Sequence, residues 1–250
     1  MKNFLLLSLV VALFISCNSV GTVTKTETKQ YALGKTTVID SSTNKTIAPY
    51  RDELSLTMDK VIGETDVALE KGQPEGKLGN FVADLALQQG NKNYFPADNK
   101  KADFVFLNNG GLRAPLPQGE ITVGKVFELL PFENELIVVT LKGTTVNQLI
   151  NFIIDKGGMP VSNIKITIKD KKAIAVKING NDFDSTQTYK VITSDYLANG
   201  GDNLKMMSDA ISKETLGLKL RDAILTQIKE LTASGKKITA QKGWRINYEQ

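Results

Sequence analysis

Apolar residues recur at helical spacing from Leu78 through Phe81, Val82 and Leu85, which predicts a helix with one buried face, its approach marked by Pro74 and Gly76. A second helical stripe runs through Val146, Leu149, Ile150, Ile153 and Ile154, between Gly143 and a stop at Gly157-Gly158. A third aligns Leu220, Ile224, Ile228 and Leu231 and closes near Gly235. Thr122 is placed to cap a short helix carrying Val123, Val126, Phe127 and Leu130, which Pro131 stops. Ala48 to Ile62 reads as a helix of imperfect period. Phe104-Val105-Phe106-Leu107 is continuously apolar, the pattern of a strand buried on both faces, and Leu136 to Leu141 repeats it. Tyr189 to Thr193 is a further strand. Ile164 to Thr167 and Ile174 to Ile178 flank Asp170-Lys171-Lys172 as a hairpin, and Asn179-Gly180 is the strongest short turn signal in the chain.

Strands alternating with helices, with one or two hairpins among them, predict a mixed α/β fold: a layered single domain with a mixed sheet and flanking helices. Two predicted strands run into polar, glycine-bearing loops, one at Asn108 to Arg113 and one at Asn199 to Asp202. Loops at strand carboxyl ends are where ligand crevices form in such sheets.

The N-terminus is a separate matter. Met1, Lys2 and Asn3 precede the apolar run Phe4 to Ile15 and then Ser16 and Cys17, the layout of a signal peptide too short to span a bilayer comfortably. Leu13-Phe14-Ile15-Ser16-Cys17 resembles a bacterial lipobox, with Phe14 where leucine is more usual. Cys17 is the only cysteine, so it has no internal disulfide partner and is the expected lipidation site. Residues 18–45 are expected to be a flexible tether, the part from Asn18 to Gln30 being rich in Ser, Thr and Lys without an apolar period. Residues 46–250 are enough for one domain with a proper core.

Composition removes several function classes. Lys and Arg number 31 against 27 Asp and Glu, but the basic residues are scattered, with no stripe of the kind that binds nucleic acid. The chain has no histidine, which excludes His-dependent triads and His-ligated metal sites within it. Neither an EF-hand loop nor a GxxxxGK[ST] phosphate loop occurs.

Three local motifs then stand in register. They are Asn108-Asn109-Gly110-Gly111-Leu112-Arg113 followed by Gly119-Glu120-Ile121-Thr122; Leu130-Pro131-Phe132-Glu133-Asn134 running on to Leu141-Lys142-Gly143; and Asp195-Tyr196-Leu197-Ala198-Asn199-Gly200-Gly201-Asp202. Their order and spacing resemble the C-terminal domain of the 5'-nucleotidase family over about residues 50 to 245, with Val61 to Thr65 and Leu78-Gly79-Asn80 resembling that domain's start. The resemblance implies a nucleoside site: Phe132 and Tyr196 as a base clamp, Asp202 on the ribose hydroxyls, and Asn108 and Arg113 as polar contacts. Gly111, Asn199 and Gly201 complete the implied substrate-binding set. Physical chemistry suits these roles, since aromatic faces stack on bases for roughly 1–3 kcal/mol each and an arginine fork matches phosphate. On residue type alone Phe132 also suits a core plug, Arg113 a surface ion pair, and Asn199 to Asp202 a tight turn.

Two departures weaken the phosphate end of that pattern. Gln73-Pro74-Glu75-Gly76-Lys77 holds no arginine where the family commonly offers one, and Lys77 is a poorer, point-charge substitute. Leu136 lies where some relatives place another aromatic. In the family a separate metallophosphatase domain with His, Asp and Asn ligands performs the hydrolysis, and no such domain is read in this chain. The resemblance therefore implies no cofactor in this chain, with divalent metals only in a partner metallophosphatase, a nucleotide or nucleoside ligand, and membrane attachment through Cys17 on the periplasmic or outer-surface side. The expected function is the recognition subunit of a split 5'-nucleotidase-type phosphohydrolase in nucleotide catabolism. The alternatives are a standalone nucleoside- or nucleotide-binding lipoprotein and a scaffold that has lost its pocket.

Overall fold

The computed structural model describes residues 21–32, 34, 37–240 and 242–249. The signal peptide and Cys17 lie outside them. By backbone contacts the chain divides into residues 1–46 and 47–250. Helix α1 (Ser41–Met58) starts where the Asp40 carboxylate accepts from Ser42 Oγ at 2.6 Å and from Thr43 N at 2.7 Å. Those bonds draw the Asp40 pKa down to about 2. The helix thus begins inside the stretch expected to be a tether and ends before the expected Ile62. Val61 and Ile62 belong instead to strand β1 (Val61–Thr65), paired antiparallel with β3 (Gly119–Thr122). Among the described residues no helix is long and apolar enough to cross a membrane.

The second unit is layered around a five-stranded mixed sheet. Its members are β2 (Phe104–Phe106), β4 (Glu135–Lys142), β5 (Val161–Ser162), β9 (Thr188–Ser194) and β10 (Ser212–Lys219), in the order β10-β4-β9-β2-β5. Strand alternation sends side chains to both faces. Val105, Leu136, Val138 and Ile192 face one core together with helices α2 (Lys77–Asn93) and α6 (Leu220–Ala233). Phe104, Phe106, Val139, Leu141 and Val191 face the other, against helix α4 (Gly143–Asp155) and the sheet of β6 (Ile164–Lys169), β7 (Lys172–Ile178), β8 (Asn181–Asp182) and β11 (Ile246–Tyr248). The predicted stripe Leu78, Phe81, Val82, Leu85 is buried, each side chain contributing about 1.5–3 kcal/mol.

Local signals are realised as read. Thr122 Oγ1 accepts from Lys125 N at the start of α3 (Val123–Leu129), at 3.3 Å. Asn179 and Gly180 take φ of 51° and 80°, the paired positive angles that a two-residue hairpin turn requires. The mixed α/β class and the central buried strands are as expected. Strands β1, β3, β10 and β11 carry too little alternation of their own to have been read.

Candidate functional site

Strand directions bring the three motif loops together. β2 runs parallel to β9, with Phe104 opposite Val191 and Val105 opposite Ile192. β4 runs antiparallel to β9, with Leu136 opposite Ser194. The carboxyl ends of β2 and β9 therefore meet the start of β4 at one edge of the sheet, as the crevice rule for such sheets anticipates. The loop after β2 makes one 3-10 turn (Asn109–Gly111) and is pinned by Leu112, which is buried, and by Arg113 N donating to Leu129 O at 2.8 Å. The loop before β4 holds Pro131 to Asn134. After β9, Ser194 Oγ caps helix α5 (Asp195–Ala198) by accepting from Leu197 N, and the chain turns through Gly200 at φ 89° and Asp202 at φ 54°.

These loops enclose a cleft of about 300 Å³ lined by Asn108, Gly110, Gly111, Arg113, Phe132, Asn134, Tyr196 and Asp202. That is the lower end of the range for small-molecule sites, ~300–1,000 Å³. Its floor is apolar, with Leu107, Leu112, Leu130 and Leu220 around a recess of about 10 Å³. Phe132 is 50% and Tyr196 47% exposed, so neither aromatic is a core plug.

Asp202 is the hub of the polar side. Its Oδ2 accepts from Asn108 Nδ2 at 2.6 Å and its Oδ1 from the Tyr196 hydroxyl at 2.8 Å, while that same hydroxyl accepts from Asp202 N at 3.1 Å. Each carboxylate oxygen keeps further acceptor capacity for a ligand. Gly111 leaves room for Asn108, because a Cβ there would stand 2.9 Å from Asn108 Oδ1. Arg113 donates to Gly110 O at 3.2 Å and sets its guanidinium 5.8 Å from the Phe132 ring centre, within cation–π range.

Six of the eight predicted substrate contacts thus line one cleft. Asn199 and Gly201 do not. Asn199 ends α5, its N–H bonded to Asp195 O at 3.0 Å, and Gly201 lies against the Tyr196 ring. A Cβ on Gly201 would stand 2.5 Å from that ring's Cζ. Gly201→Ala is therefore expected to swing the half-exposed Tyr196 ring away and break its two bonds to Asp202, at about 1 kcal/mol each. A crystal structure of the variant with the Tyr196–Asp202 bond intact would refute this. Asn134 also lines the cleft, beyond the eight expected contacts; its sequence signal is a polar amide two positions after Phe132, just before a buried strand. Leu136 is fully buried in the core. Lys77 opens α2 and does not line the cleft. Among the described residues no three His, Cys, Asp or Glu side chains gather as a metal-ligand set.

A wider depression of about 500 Å³ lies at the opposite end of the sheet. Its charges are largely spent on one another: Lys190 Nζ pairs with both oxygens of Asp98 at 2.6 and 2.8 Å, and Glu214 accepts from Tyr94. None of the three cleft loops lines it.

Comparison with known proteins agrees with the geometry. Residues 61–209, more than half of the chain, match the family described as "5'-nucleotidase, C-terminal domain". The chain is 30% identical over 219 residues to the trifunctional nucleotide phosphoesterase protein YfkN of Bacillus subtilis, covering 79% of this chain and 14% of that one. It is 26% identical over 166 residues to protein UshA of Escherichia coli, covering 62% of this chain and 28% of UshA. The crystal structure of a 5'-nucleotidase precursor from Thermus thermophilus superposes with a TM-score of 0.68 at 26% identity, over 82% of this chain and 42% of that one. The chain spans under a third of the length of these two curated relatives. The match runs through all three loops of the cleft, and the chain belongs to the 5'-nucleotidase family, whose C-terminal domain it carries.

Proposed function

We propose that this chain is the nucleotide-recognition part of a split 5'-nucleotidase-type phosphohydrolase, exported and held to a membrane through lipid on Cys17, with hydrolysis performed by a separate metallophosphatase chain. The observation that carries the reading is the gathering of Phe132, Tyr196, Asp202 and Asn108 around one cleft, with the carboxylate already oriented by two donors. The Phe132 and Tyr196 faces take the base, Asp202 accepts from the vicinal ribose hydroxyls, and Arg113 meets the phosphate end. The Asn134 amide offers one donor and one acceptor side to a base edge. Placing the metal chemistry outside these 250 residues is supported by their lack of histidine, since metal-assisted hydrolysis of this class draws on imidazole ligands. Export is supported by the N-terminal pattern and by a similar Listeria monocytogenes protein named as a cell wall protein.

The test is calorimetric titration of the protein with adenosine, AMP and UDP-glucose, followed by phosphate-release assays with and without an exported metallophosphatase from the same cell. Saturable binding, with hydrolysis appearing only on mixing, is the expected result. Hydrolysis by the chain alone would overturn the split arrangement. Binding that no phosphatase converts to turnover would favour the standalone binding lipoprotein, a reading that the gathering of the aromatic and polar side chains within this chain also supports.

A further inference from the structure

The loop that carries Phe132 is secured from behind by the first turn of α6. Arg221, the second residue of that helix, is 6% exposed. Its Nη1 donates to Leu130 O at 3.2 Å and Pro131 O at 3.4 Å, and its Nη2 to Glu133 Oε1 at 2.5 Å. The guanidinium lies 4.1 Å from the centre of the Phe127 ring. Lys219 Nζ donates to the other oxygen of Glu133, and Leu220 N to Asn134 O at 2.9 Å. Backbone or side chain on both sides of Phe132 is therefore tied to the short stretch Lys219–Arg221 where β10 passes into α6, while the ring itself stays half exposed in the cleft.

Stability alone is a poor account of this arrangement. A buried cation carries a desolvation cost that an apolar residue of similar size avoids. Arg221 Nε is also buried without a hydrogen-bond partner, an added penalty. The planar fork does something an apolar residue does not, because it reaches two successive carbonyls and a carboxylate from one rigid group. We infer that Arg221 and Glu133 form a latch that positions the Phe132 ring for stacking, so that the order of this loop is established before the ligand arrives. A ligand meeting a preset ring loses less freedom on binding. This rests on the nucleotide-binding reading, since the ring is held for a planar partner.

Glu133 is the place to test it, because its side chain is 63% exposed and its replacement does not threaten the core. Glu133→Gln keeps the shape and removes the charge; Arg221→Lys keeps the charge and removes the fork. The first readout needs no nucleotide. Phe132→Trp in a Trp244→Phe background places a single indole in the loop, Trp244 being the only native tryptophan. Either latch variant is expected to lower the residual fluorescence anisotropy of that indole by roughly a third as the ring gains nanosecond motion. The second readout is adenosine affinity in the full chain, expected to fall about fivefold with Glu133→Gln when Phe132 is present and not to change when Phe132→Ala is also made. Unchanged anisotropy in both variants, or an equal affinity loss with and without the Phe132 ring, would overturn the latch. Failure of the unsubstituted protein to bind adenosine would instead sink the nucleotide reading, and the anisotropy would still decide the latch.

Discussion

Replacing Glu75 by alanine is expected to destabilise the domain by about 3–5 kcal/mol, read as a lowered urea midpoint. Glu75 is 6% exposed and sits between the start of α2 and the C-terminal segment. Its Oε2 accepts from Asn80 Nδ2 at 2.9 Å and from Gly243 N at 3.1 Å, and its Oε1 from Ile246 N at 2.8 Å. Truncation leaves three donors, two of them backbone, without their acceptor in a water-poor place, at ~1–3 kcal/mol for each that finds none. It also unfastens β11, which lies beside β6 with Ile246 opposite Ile166. Hydrogen exchange at Ile246 to Tyr248 should therefore speed up more than exchange in α2. Glu75→Gln should cost less than the truncation but not nothing, since its NH₂ must face at least one donor. A change below about 1 kcal/mol on truncation would mean that water replaces the carboxylate, and the account of this junction would be wrong.

The elements that were legible in the sequence are those whose signal is local. α2, α4 and α6 announce themselves by one apolar stripe each, and β2, β4 and β9 by being buried on both faces. β10 was hidden because it is an edge strand whose residues Lys213 and Glu214 face solvent and whose regularity breaks at Gly217, with φ of 60°. β1 and β11 exist only through partners far along the chain, β3 and β6 respectively. α1 starts at Ser41, ahead of the expected Ala48, where the Asp40 carboxylate caps a stretch whose polar composition reads as tether.

The site divides in the same way. Each cleft loop was visible as a cluster of Gly, Asn, Asp and aromatic residues, and the pairing of β2 with β9 then joined Asn108 to Asp202 across 94 positions. What tertiary folding added was dependence between residues. Nothing local connects Arg221 with Glu133, 88 positions away, or marks Gly201 as the space against which the Tyr196 ring lies.

Asp202→Ala is expected to weaken adenosine binding about 100-fold, some 2.7 kcal/mol. The estimate follows from two hydrogen bonds to a charged acceptor at about 1.5–3 kcal/mol each, partly offset by water entering the space. Two side effects must be separated from that loss. Alanine at φ 54° is strained, and Asn108, nearly buried, loses the partner of its amide. Asp202→Asn addresses both, because asparagine tolerates the left-handed conformation and an amide reorientation at Asn108 can restore its bond. That variant should lose only the charged part of the interaction, about tenfold. The ligand supplies the remaining control. If Asp202 holds the ribose, 2',3'-dideoxyadenosine should bind the native protein far more weakly than adenosine does, and the two ligands should become equal in Asp202→Ala. Equal affinity in the native protein would show that the carboxylate serves only to hold Tyr196 and Asn108 in place and that the cleft does not read the ribose hydroxyls.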